Sequence, residues 1–115
     1  MSFPQEIEYW IKERVTKGAA RLDTKKPDWA HSVRPDLLCM DSCSHCVIGH
    51  VYGLMDNYQL GDYSDSVHDL LDGYNDMTYG FAPAGSYVGF ELDKDMELDA
   101  LKRYWLAEVE KRVAA

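Results

Sequence analysis

No run of apolar residues in this 115-residue chain exceeds a few positions, against the roughly 18 that a membrane-spanning helix needs. The opening MSFPQEIEYW carries two glutamates where a secretory leader would be apolar. Both absences predict a protein of the cytoplasm that crosses no membrane. Cysteine is scarce, with three residues. An odd number without an export leader predicts reduced thiols and no disulfide framework. Positive charge is short as well: 12 Lys and Arg stand against 20 Asp and Glu, for a net charge of −8. Residues 1–55 balance, whereas residues 56–99 hold eleven acids and one base, Lys94. Such a stretch repels phosphate backbones and predicts no direct nucleic-acid binding. There is no phosphate-cradling glycine loop, no G-x-S-x-G and no H-E-x-x-H, and nothing recurs at a solenoid period.

The composition that remains, 46% hydrophobic and 28% charged, is that of one globular domain spanning residues 1–115. Ser2, with Gln5 three positions on and Pro4 between, has the form of a capping box. Ile7, Ile11, Val15 and Leu22 follow near helical spacing, predicting a helix over about residues 3–21. The proline-containing segment DTKKPDWAHSVRPD reads as a connection with one helical turn after Pro27, anchored in the core by Trp29. At the other end, Asp95 is a candidate cap for a helix that buries Leu98, Leu101, Trp105, Val109 and Val113. Lys111 and Arg112 suit its C-terminal dipole. Between these lie a short helix carrying Val67, Leu70 and Leu71, closed by Gly73, and a short strand signal at SYVGFEL. The fold class is mainly α: a small bundle of three main helices with irregular connections and at most one short strand pair.

The third main helix contains the most conspicuous segment, CMDSCSHCVIGH. After a cap at Asp41 or Ser42, the residues Cys43, Cys46, Val47, His50, Val51, Leu54 and Met55 step by three and one. That is one apolar stripe, with thiols standing in for small hydrophobes. Gly49 and Gly53, four apart on another face, predict close approach of a second helix.

A rival reading makes Cys39, Cys43 and Cys46, with His50 or His45, a zinc or iron site. His31 and His68 are more distant candidate ligands. The C-x3-C-x2-C spacing also occurs in cluster-binding enzymes that use S-adenosylmethionine, but those need a much larger barrel. On a continuous helix Cys39 and Cys46 stand roughly 10 Å apart along the axis. Metal binding would therefore require a loop where the periodicity asks for a helix, and no cofactor is expected. A Cys46–His50 nucleophile pair lacks an identifiable third member and substrate access. Buried in the stripe, His50 would need hydrogen-bond partners. Asp93, Asp95 and Glu97 begin like a calcium loop, but Leu98 and Tyr104 occupy its required glycine and glutamate positions.

What remains is surface. Seven of the eight tyrosines lie between Tyr52 and Tyr104, interleaved with the acids. Tyrosine offers contact area at low rotamer cost, and acids steer basic partners. Mimicry of nucleic acid would produce the same clustering. Asp62, Tyr63, Asp65, Asp69, Asp72 and Tyr74 are the candidate partner-binding residues.

Certain residues are similar to a pattern found in small actinobacteriophage proteins of unknown function: Leu22-Asp23, Pro27, Trp29-Ala30, Cys46-Val47-Ile48-Gly49 with Tyr52-Gly53, Gly80-Phe81 or Gly89-Phe90, and Trp105. The pattern has a glutamine where this chain has His50, and Cys39 and Cys43 are not fixed features of it. The resemblance implies no activity. It implies a phage accessory protein working in the cytoplasm of an infected actinobacterium. The combined expectation is a non-enzymatic acidic protein that acts by binding another protein, with host proteins as candidate partners. The alternative is a small zinc- or iron-binding protein.

Overall fold

A computed structural model describes residues 3–114. Its elements run α1 Gln5–Lys25, α2 Trp29–Ser32, α3 Val47–Val51, α4 Asp62–Leu71, β1 Ser86–Tyr87, β2 Phe90–Glu91 and α5 Lys94–Val113. The mainly α class holds, with two long helices, one medium and two of about a turn in place of three main ones. Among the described residues no helix is long and apolar enough to cross a membrane.

The helix α1 buries Ile11, Val15, Ala19 and Leu22 on the face the spacing predicts. The Ser2 cap lies outside the described residues. Pro4 precedes the helix, and its carbonyl accepts from Ile7 and Glu8 N–H, each at 3.0 Å. The helix continues four residues past the predicted end. It stops where Lys26 leaves the α region (φ −139°, ψ 72°), as a residue before proline is sterically driven to do. The helix α5 is capped two residues earlier than predicted, by Asp93, whose side chain accepts from Met96 N–H. That bond satisfies one of the four orphan donors of the first turn. Leu101, Trp105 and Val109 are buried as expected, but Leu98 is half-buried and Val113 exposed. Glu97 and Glu108 take inner positions instead.

The core forms where α1 packs along α5 and α2 packs on α5. Trp105 is its centre. It stacks on Phe81 (4.9 Å between ring centroids), meets Trp29 edge-on at 5.7 Å, and donates its indole N–H to Gly80 O at 2.6 Å. The segment at 79–81 crosses α1 at Gly18. A Cβ on Gly18 would collide with the Tyr79 carbonyl, and one on Gly80, which has φ +74°, would strike the Val15 backbone. Two glycines therefore let a loop lie directly on a helix. The predicted strand is a hairpin pairing Ser86 with Glu91 and Tyr87 with Phe90. Its two-residue turn has positive φ at both Val88 (47°) and Gly89 (83°), the combination that matches strand twist.

The predicted helix from Asp41 or Ser42 past Leu54 is not continuous. A single turn, closed by Cys46 N–H donating to Ser42 O at 3.0 Å, is followed by Cys46 in extended conformation (ψ −177°) and then by α3. The residues from Cys46 to His50 face inward, but Cys39 and Cys43 are exposed. The expected burial of Cys43 among valine and leucine is thereby corrected. The glycines explain the break. Gly49 packs against the Ser44 backbone at a distance that leaves no room for a Cβ, so the close approach there is the chain folding onto itself, and among the described residues nothing lies within 4 Å of a Cβ placed on Gly53. Gly53, at φ +69°, ends α3. The fourth helix begins after left-handed Gly61 and ends at left-handed Asp72, one residue before the predicted Gly73 stop.

Candidate site at the acidic helix and the cysteine turn

Tyr63, Ser66, Val67, Leu70 and Leu71 face the core from α4. The opposite strip is Asp62, Asp65, Asp69 and Asp72, spaced three, four and three apart and so on one helix face. These carboxylates are not equally available. Asp62 accepts from Gln59 N–H (2.8 Å), Asp69 from the Tyr52 hydroxyl (2.7 Å), and Asp72 from Arg21 Nη2 (2.7 Å). Arg21 also donates to Leu70 O, and Lys26 lies 4.7 Å over the Tyr52 ring. The basic end of α1 thus screens the last turn of α4. Asp65 is exposed to solvent and takes part in none of these bonds.

Tyr63 is a core residue, so it offers a partner little surface. Its hydroxyl donates to Asp76 Oδ2 at 2.7 Å, and the other carboxylate oxygen of Asp76 accepts from Met77 N–H at 2.9 Å. Burial, reinforced by this carboxylate, holds the Tyr63 phenol well above its ordinary pKa. Among the described residues no cation pairs with buried Asp76. Tyr74 is exposed and packs on His68 and Tyr63, with centroids 5.9 and 6.3 Å apart. Tyr58 is also exposed. Leu60, two residues on, is fully exposed.

Beneath Tyr74 is a cavity of about 210 Å³ whose walls include Met40, Cys43, Cys46, Asp76 and Phe81. It is the size of one side chain. The turn that carries the cysteines is held by Cys39 N–H donating to His45 O and by a Ser42–Ser44–His45 hydroxyl and imidazole relay. Burial pushes the Cys46 thiol up to about 11, so it is protonated at neutral pH. His50, 4% exposed, donates through Nδ1 to Cys46 O at 2.9 Å, and among the described residues its Nε2 has no partner. The His45 ring lies 6.5 Å from it, nearly perpendicular. Cys39, Cys43, Cys46 and His50 do not converge: among the described residues no three His, Cys, Asp or Glu are placed to hold a metal ion. His31 is exposed beside a groove between α2 and α5, and His68 lies on the outer side of α4.

Three residues that matter here escaped sequence reasoning. Arg14 and Glu97 are buried and paired at 3.0 Å. Arg14 also donates to Met77 O and Ala82 O, and Glu97 accepts from Ala84 and Gly85 N–H. The pair clasps residues 77–85, and so the back wall of the cavity, to both long helices. The available signal was position. Glu97 precedes Leu101 and Trp105 by four and eight residues, and Arg14 follows Ile11 by three, so each is a charge on an apolar stripe. Asp76, in an irregular loop, gave no such signal. No protein-family model matches the chain, and no curated protein or solved structure is significantly similar to it.

Proposed function

We propose that the protein is a non-enzymatic binding protein that engages another protein through the outer face of α4 and the adjoining tyrosines. The resemblance to actinobacteriophage accessory proteins supports a reading in which it acts in the host cytoplasm, with a host protein as the candidate partner. The observation that carries the reading is the exposure of Tyr58, Leu60 and Tyr74 on the segments that flank α4, whose outer face carries Asp65. Apolar and aromatic side chains left in water beside unpaired charge are what a binding surface requires and what a merely solvated helix avoids. A partner of matching chemistry is basic, with an apolar anchor. Tyr74→Ala is expected to raise the Kd for such a partner by about tenfold or more, and Asp65→Lys to flatten the salt dependence of binding. Calorimetry at two salt concentrations reads both effects. Unchanged affinity in both variants rejects the proposal.

The alternative, a zinc- or iron-binding protein built on Cys39, Cys43 and Cys46, has in its favour the buried His50 Nε2, which no hydrogen bond engages among the described residues. Elemental analysis of tag-free protein separates the two readings. Stoichiometric zinc or iron supports only the second.

A further inference from the structure

Cys43 and Cys46 border the same cavity but differ in exposure. The Cys43 thiol is open to solvent, whereas Cys46 is 2% exposed. Both sit on the one turn closed by the Ser42–Cys46 hydrogen bond, with the Cys46 sulfur 3.8 Å from the Cys43 carbonyl oxygen. Residues three apart on a helical turn carry Cβ atoms about 5–6 Å apart. A disulfide needs Cβ atoms roughly 3.5–4.5 Å apart. A contraction of one or two ångströms (the difference between these ranges) closes the ring. The turn can supply it, because Cys43 is on the solvent side and Cys46 is already in extended conformation.

We propose that Cys43-Ser-His-Cys46 is a redox-active dithiol whose substrate class is low-molecular-weight disulfides, with Cys43 attacking and Cys46 resolving. The proposal rests on the cavity and the turn, and does not depend on the binding function above. In the first step the Cys43 thiolate attacks one sulfur of RS–SR. The S–S bond breaks, a Cys43–S–SR bond forms, and RS⁻ leaves and takes up a proton. In the second step Cys46 gives its proton to solvent and attacks the Cys43 sulfur. The mixed disulfide breaks, the internal disulfide forms, and the second RS⁻ leaves and is protonated. Two protein thiols lose two electrons, and one disulfide becomes two RSH. Exposure sets the order of attack, because a buried and protonated thiol is a poor first nucleophile but is well placed to attack intramolecularly. Both cysteines line the cavity, so ring closure alters one rim of it.

The test equilibrates reduced full-length protein with oxidised glutathione without oxygen, quenches in acid, alkylates free thiols and maps peptides by mass. Wild type is expected to carry an internal Cys43–Cys46 bond with Cys39 alkylated. Cys46→Ser is expected to stop as a glutathione adduct on Cys43, and Cys43→Ser to form no internal bond. Circular dichroism checks that both variants fold, and Cys46→Ala replaces Cys46→Ser if the serine does not. A stable glutathione adduct in wild type, a bridge through Cys39, or no reaction would each overturn the proposal.

Discussion

Arg14 and Glu97 show how much one buried pair can organise. Glu97 is fully buried and accepts three hydrogen bonds, while Arg14 gives three and lies 4.4 Å over Trp10. Burial lowers the Arg14 pKa, and Glu97 opposes that shift. Removing one partner of a buried pair leaves the other charge uncompensated. Glu97→Gln is therefore expected to cost about 3–5 kcal/mol in denaturant unfolding. In many proteins an apolar pair replaces a buried ion pair without loss. Here the double variant Arg14→Met/Glu97→Leu should stay destabilised, because Ala82 O and the N–H groups of Ala84 and Gly85 would lose their partners, while Met77 O would keep only Gly80 N–H.

Asp23 offers a pH test of the same kind of reasoning. Its carboxylate accepts two hydrogen bonds from Arg112 and one from the Trp29 indole, each at 2.8 Å. The Arg112 hydrogen bonds, with help from Trp29, hold its pKa below the ordinary 3.8. A depressed carboxylate contributes stability above its unfolded pKa and loses that contribution as pH falls through its folded value. The stability gap between wild type and Asp23→Asn should thus be complete at neutral pH and close on acidification below about pH 4. Urea unfolding followed at a series of pH values measures it, and a constant gap would show that the carboxylate's charge contributes nothing.

At the scale of elements, legibility followed periodicity. The helices α1 and α5 were readable because each repeats apolar residues over five turns, so that small errors in the ends leave the buried face intact. Their ends were set by local sterics: Lys26 before Pro27, and Asp93 in place of Asp95. The cysteine segment misled because a helical stripe and two successive turns present the same residues inward from Cys46 onward. What distinguishes them is the Gly49–Ser44 contact, a tertiary fact with no periodic trace. The sequence showed a short strand at SYVGFEL but not the turn that makes it a hairpin, and that turn holds Val88 at φ 47°, where a β-branched residue is strained. Val88→Asn should relieve this strain and stabilise the protein by roughly 1 kcal/mol. A rise of several degrees in the thermal midpoint is expected. No rise would mean that Val88, itself exposed, carries little strain energy.

The whole molecule segregates charge. The acids of residues 56–99 were legible as a block from composition alone, and the fold turns part of that block into one strip on α4. Composition could not show which acids are free. Arg21 and Lys26, far away in sequence, cover the Asp69–Asp72 end, while Asp65 on the helix and Tyr74 after it stay exposed. Tyr63 illustrates the same limit. Its spacing on α4 puts it inside, and only the fold supplies Asp76 to meet its hydroxyl.

Photo-crosslinking tests the central claim, that the open part of this strip is where the protein meets its partner. A benzophenone side chain is placed at position 65, at position 74 or, on the exposed side of α1, at position 16, and each variant is irradiated in lysate of the cells where the protein naturally works. The account expects one shared adduct from positions 65 and 74, absent from position 16 and fading as salt rises. Adducts from position 16 alone, or none from 65 and 74, would contradict it.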